Sequence, residues 1–266
     1  MTRRLVSGML VLVFAGLCVL APSARAQAGL DPPGVDHTHW WSYHLLQPLY
    51  MPNPVLASDQ FFPNYVPVYL DSLNRLVNWV RKDNSAVADT FVHYTWWNIE
   101  NKAALNPATA VILTNQFGQY PANIHNAEFM LVPAWKNQPR PDLPHANHYL
   151  CYRADGPPPP PQTHFFQDEW RQDVQIPGPL EFLCVPCWKN HAGAIFAPVD
   201  TVTHLAVYPI LPHSELFYPF IQDQFHQGPS PVAQSPPEFL FVPTLKQLII
   251  TPTRRATWGE LKTHYR

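Results

Sequence analysis

The sequence predicts an all-β fold made of four tandem units, each of about 55 residues with about four short strands. The first observation behind this is a strand-like start that recurs. It reads His39-Trp40-Trp41-Ser42-Tyr43, His93-Tyr94-Thr95-Trp96-Trp97, His148-Tyr149-Leu150-Cys151-Tyr152 and His204-Leu205-Ala206-Val207-Tyr208, at steps of 54, 55 and 56 residues. A middle word follows 19 to 22 residues later: Asp59-Gln60-Phe61, Asn115-Gln116-Phe117, Asp168-Glu169-Trp170 and Asp223-Gln224-Phe225. Lys82, Lys136, Lys189 and Lys246 then close the units. Self-similarity at a fixed period of this size marks units that share one core. The second observation is 32 prolines against 10 glycines. Proline removes a backbone donor and breaks helices, so long helices are excluded. The third is that aromatic and β-branched residues come in short runs bounded by Pro, Asn and Asp, as strands do.

Within a unit, four extended segments are expected. The first is the histidine start, such as His148 to Arg153; the second runs into the middle word, such as Ala110 to Phe117. The third is less regular, as in Val66 to Leu70 or Asp173 to Pro177. The fourth ends at the lysine and carries a Val-Pro pair at Val132-Pro133, Val185-Pro186 and Val242-Pro243. Proline there is expected to end ladder pairing or to mark a bulge or an edge. The Asp or Asn that opens each middle word suits a turn, its side chain accepting from backbone amides two residues on. Unit one lacks the proline, and Asp71 to Lys82 also reads as a short amphipathic helix with Leu73, Leu76, Val77 and Val80 on one face. Pro157 to Pro161 is an extended spacer. The units are expected to pair into barrels or sandwiches, with a single four-bladed propeller as the alternative.

The chain divides into a leader over 1–26, units over 27–92, 93–147, 148–203 and 204–250, and a tail over 251–266. Arg3 and Arg4, the apolar run from Leu5 and the Ala24-Arg25-Ala26 site read as a secretory signal peptide. The product is expected in the periplasm or the medium, with no membrane span after cleavage. Without the leader's three arginines, 14 basic residues face 19 acidic ones. That balance argues against a nucleic-acid partner, which needs basic surface. With 46% apolar residues the chain can bury a sizeable core.

Cys151, Cys184 and Cys187 all fall in unit three. An oxidising compartment should close one pair. Cys151 with Cys184 is the preferred pair, because the sister units carry Ser42, Trp96 and Val207 at the first position and Val77, Leu131 and Phe241 at the second. Both cysteines thus stand in inward-facing slots, and a bridge closing about 34 residues would contribute roughly 3 to 4 kcal/mol. Cys184-x-x-Cys187 also permits a redox reading, though without the helix start that lowers a thiol pKa; free or metal-bound thiols are a further alternative. His39, His93, His148 and His204 could converge on a ring axis and bind zinc or copper. A histidine bonded to a neighbouring carbonyl explains the same four positions. Paired rings such as Trp40-Trp41 and Trp96-Trp97 could expose a face to sugars. Motifs for hydrolase elbows, zinc proteases and nucleotide loops are absent, so no cofactor is expected.

Unit three, in His148-Tyr-Leu-Cys151-Tyr152 and Leu183-Cys184-Val-Pro186-Cys-Trp-Lys189, resembles an uncharacterised family of exported bacterial repeat proteins. The resemblance implies no activity, and its paired cysteines agree with a bridge between Cys151 and Cys184. The expected function is an exported, non-catalytic scaffold or binding module for a glycan or another exported protein. The alternatives are a metal-binding secreted enzyme with histidine ligands and a glycan-binding module.

Overall fold

The computed structural model describes residues 32–249, apart from 84, 86, 88, 101–107, 138–143, 211–220 and 226–233; for 46–53 and 234–236 it describes the backbone alone. The expected signal peptide and the tail lie outside the described residues. Each unit gives two strands to one closed antiparallel ring, the first opening at its histidine or one residue before it and the second ending at or just past its lysine. In chain order these are β1 (His39–Ser58) and β2 (Val66–Lys82), β3 (Val92–Ile99) and β5 (Gly118–Lys136), β6 (His148–Asp155) and β9 (Phe182–His191), and β11 (His204–Pro209) and β13 (Gln234–Leu248). Neighbours in sequence pair throughout, and β1 pairs with β13 to close the ring. Closure removes the sheet edges that an open array would expose.

The connections within units carry β4 (Thr109–Asn115), β7 (His164–Gln167), β8 (Gln172–Gln175) and β12 (Ile221–Gln222); β10 (Ala194–Phe196) folds back on β9. Among the described residues no helix is long and apolar enough to cross a membrane. The string from Asp71 to Lys82 is strand, not helix, because β1 and β3 take up its backbone groups along both sides. The third and fourth segments of unit two are one strand, β5, which bulges between Ile124 and Phe129 and so stays paired with β6.

Alternation along the ring strands sorts side chains into two faces. Inward-facing residues form three levels of four registered pairs. At the level next to the histidines Trp40 stands opposite Trp79, Tyr94 opposite Pro133, Tyr149 opposite Pro186, and Leu205 opposite Pro243. The middle level holds Ser42 with Val77, Trp96 with Leu131, Cys151 with Cys184, and Val207 with Phe241. Rings meet across intervening strands, as in Trp40 with Tyr94 and Tyr94 with Tyr149, so the barrel is filled by side chains. The outward face is also buried: Trp41, Tyr43, Trp97, Tyr152 and Tyr208 are at most 1% exposed. The chain's own excursions cover it.

Candidate functional site

One register recurs in every unit. His39 lies opposite Val80, His93 opposite Ala134, His148 opposite Cys187 and His204 opposite Thr244, in each case two residues before the unit's lysine. Histidine and lysine therefore share the outward face at one end of the barrel, and four equivalent niches ring that end.

The proline before each lysine explains how a niche is walled. Pairing with the next unit's histidine strand stops at Leu131, Cys184 and Phe241, two residues short of Pro133, Pro186 and Pro243. Pairing with the unit's own histidine strand continues past the proline, so the residue ends the ladder on one side only. An excursion strand from two units away takes the vacated side. Lys82 pairs with Phe166, Lys136 with Ile221, Lys189 with Ala57 and Lys246 with Leu113. In all four cases the partner stands two residues before the Asp or Asn of its middle word. The word itself then turns over the outside of the barrel.

The turn is held as its sequence predicts. One side-chain oxygen of Asp59, Asn115, Asp168 and Asp223 accepts from the amides of Phe61, Phe117, Trp170 and Phe225 at 2.7 to 2.9 Å. The outer oxygen of each Asp reaches the unit diagonally opposite. Asp59 accepts from the Tyr152 hydroxyl at 2.6 Å and Asp168 from the Tyr43 hydroxyl at 2.5 Å. Asp223 accepts from Thr95 Oγ1 at 2.6 Å and Trp97 Nε1 at 2.9 Å. Asn115 instead donates through Nδ2 to the hydroxyls of Tyr208, Tyr120 and Thr244. The aromatic residue that ends each word packs on the same opposite unit, Phe61 on Tyr152, Phe117 on Tyr208, Trp170 on Tyr43 and Phe225 on Trp97.

In units one and two the middle residue of the word reaches the histidine of the preceding unit, whereas Gln224 Nε2 in unit four has no hydrogen-bond partner among the described residues. Gln116 Nε2 meets His39 Nε2 and Gln60 Nε2 meets His204 Nε2, both at 2.7 Å. Nδ1 of these two histidines lies 3.1 and 2.8 Å from the carbonyls of His37 and Val202. Nδ1 thus donates to a carbonyl while Nε2 accepts from an amide, which fixes a neutral tautomer. In the second niche Glu169 replaces glutamine and pairs with Lys136 instead.

Three of the four niches also hold the lysine against a ring of the next unit's word. Lys136 Nζ lies 4.1 Å from the Trp170 centroid, Lys189 Nζ 5.1 Å from Phe225 and Lys246 Nζ 4.3 Å from Phe61. Burial depresses Lys136 and Lys189 to about 7 and Lys246 to about 8, against the pull of Asp168 on the first, Cys187 and Asp223 on the second and Asp59 on the third. Asn115 brings no charge to the first niche, where Lys82 pairs with its neighbour Asp83 at 2.7 Å. Burial likewise lowers His39 to about 3 and His204 to about 4, and carries His93 and His148 well below the ordinary range. The nearby lysine adds to the shift in every niche.

The four sequence-predicted histidines therefore occupy equivalent places but separate niches, and they do not meet on the axis. Among the described residues no group of three or more His, Cys, Asp or Glu side chains could hold a metal ion. Cys151 and Cys184 are joined, directly opposite one another on β6 and β9 inside the barrel. Cys187 is buried on the outward face, where burial pushes its thiol up, away from the reactive range that a redox pair needs. Trp40 and Trp96 face inward and Trp41 and Trp97 outward, all buried, so neither pair presents a ring to solvent. Sequence reasoning missed the assignment of each word to two foreign units. The recurrence of word and lysine in every unit was the signal, but no periodicity states which copies touch.

A family model described as a repeat of unknown function, DUF7450, matches residues 93–244. The match spans more than half of the chain, and the chain belongs to this family. No curated protein and no solved structure matches it.

Proposed function

We propose that this member of the repeat family is an exported, non-catalytic β-barrel that serves as a scaffold or binding module, its partner being a glycan or another exported protein. The observation that supports this reading is the fate of the repeated chemistry. Histidine and lysine recur in every unit and each middle word adds a carboxylate, an amide or both, the groups with acid–base or ligand capacity, and a word from the next unit packs over each niche. Groups buried in fastening one unit to another leave a substrate little room to approach them, and the cavity of about 250 Å³ that touches His148 and Gln224 belongs to one niche and does not recur with the repeat among the described residues. A catalytic centre also needs a distinctive site, whereas these four differ mainly in which residue supplies the charge.

The residues of the amino-terminal address support export in this reading, and acidic composition speaks against nucleic acid. The test is elemental analysis of protein purified from the exported fraction, beside a variant with His39, His93, His148 and His204 all replaced by Asn. Sub-stoichiometric zinc and copper in both is the expected result. Stoichiometric metal in the parent that disappears in the variant would overturn the reading in favour of a metal-dependent enzyme. A glycan array on the same preparation separates sugar binding from a purely protein partner.

A further inference from the structure

The histidine end of the barrel opens on a cavity of about 160 Å³ that none of the four niches uses. Its aromatic lining is Trp40, Tyr94 and Tyr149, the inward residues of the level nearest that end. Trp40 and Tyr94 meet edge to face at 4.9 Å, and Tyr94 and Tyr149 at 5.8 Å. Asp36, Asp89 and Asp200 stand round the rim, each just before a unit's histidine strand. One oxygen of each holds a local turn by accepting from Thr38, Phe91 and Val202. Among the described residues no lysine or arginine pairs with any of the three.

Tyr94 gives the second, independent sign of a ligand. It is 5% exposed, and its hydroxyl has no hydrogen-bond partner among the described residues. That hydroxyl lies within the electrostatic reach of Asp36, Asp89 and Asp200 together with Tyr149, which places it at the cavity. The ring is buried while the unmatched hydroxyl is open to the cavity, where a bound group can complete it.

An aromatic floor under unpaired carboxylates is the chemistry that recognises an organic cation, because ring faces and anions both attract diffuse positive charge. The carboxylates are not gathered closely enough to chelate a metal ion. The volume matches a small amine and excludes a sugar chain. We propose that the mouth formed by Trp40, Tyr94, Tyr149, Asp36, Asp89 and Asp200 binds a small alkylated ammonium group. This goes beyond the scaffold reading and does not depend on it, since the groups involved are not those that fasten the units.

Calorimetric titration of the full exported protein with choline chloride tests it, beside 3,3-dimethyl-1-butanol, a neutral molecule of the same shape. Choline is expected to bind saturably, about tenfold or more tighter than the neutral analogue, the scale of one desolvated cation–π contact. Combining Asp36→Asn, Asp89→Asn and Asp200→Asn keeps a turn-holding oxygen at each position and should weaken choline by a similar factor, with near-ultraviolet circular dichroism unchanged. Tyr94→Phe should weaken it a few-fold. Equal binding of the two probes, or no saturable choline signal, overturns the proposal even if the variants fail to fold; so does full affinity in a folded triple variant. Sedimentation with phosphatidylcholine vesicles that choline reverses would identify the group as a lipid headgroup. Choline binding without sedimentation would identify a free amine.

Discussion

Trp97 dictates the residue that faces it. Its indole nitrogen can only donate, so the outer oxygen of Asp223 is an acceptor that no amide nitrogen could replace. Asn115, at the same position of unit two, faces hydroxyls alone and can donate to them. Asp223→Asn is therefore expected to cost about 2 to 3 kcal/mol, because a buried donor is left to face a donor or the turn loses its acceptor. Asp59→Asn, which faces the single hydroxyl of Tyr152, should cost about 1 kcal/mol. Urea denaturation of the two variants compares them directly, and equal losses would count against this assignment. The niche histidines set a pH dependence by similar logic. Burial holds the folded values at about 3 for His39 and about 4 for His204, while an unfolded imidazole protonates near 6.5. Between those limits the unfolded chain binds protons that the folded chain refuses, so stability falls as pH drops through 6.5. Lys136 and Lys189, at about 7, are charged in both states below that pH and add no slope there. Above it they shed protons that the unfolded chain keeps, so stability rises from pH 7 toward the lysine value of 10.5. Asp59, raised by burial, opposes the acid trend as a single group against four. The urea midpoint should be lower at pH 4.5 than at pH 7.5 and higher still at pH 9; a midpoint that rises on acidification would mean the imidazoles are charged.

At the scale of strands, the chain shows clearly what the sequence could and could not reveal. Aligning the units by their histidines and lysines placed Cys151 and Cys184 in matching inward slots, and their sister pairs Ser42 and Val77, Trp96 and Leu131, and Val207 and Phe241 stand opposite each other in the same way. A repeat copies register, so one alignment yields four cross-strand pairs. The asparagine and aspartate turns were legible for the same reason, being interactions within a few residues. The prolines were only half legible, because a strand has two sides and the sequence does not say which one lacks a partner. Closure into one barrel also lay beyond it, since it depends on a pairing between β1 and β13, the two ends of the ring. The bridge between β6 and β9 makes a strand-scale prediction. Replacing Cys151 and Cys184 together by alanine should cost about 3 kcal/mol or more, combining the loop that the bond closes with the volume lost from a filled interior. Thermal unfolding measures that loss. Cys187→Ala, outside the bridge, should leave the bond intact in a thiol assay.

Across the whole molecule, each middle word binds the unit before it and the unit diagonally opposite, and this holds cyclically. The word of unit one lies on unit four through Gln60 and His204, and that of unit two lies on unit one through Gln116 and His39. Open repeat arrays contact only their neighbours, so they can lose an end unit and keep the rest, and they can unfold in steps. A ring in which every unit is gripped from two others has no end to lose. Removing unit four, for instance by ending the chain at residue 203, would open the barrel between β9 and β1 and leave Asn115, Gln60 and Trp97 without Tyr208, His204 and Asp223 at once. The three-unit chain is therefore expected to lack a cooperative transition, while the four-unit chain unfolds in one step with tryptophan fluorescence and circular dichroism coincident. The two probes sample different places, since tryptophans are concentrated in units one and two and strands run through all four. Separate midpoints in the intact chain, or a folded three-unit fragment, would show that the units stand as independent neighbours and that the diagonal contacts are incidental to the fold.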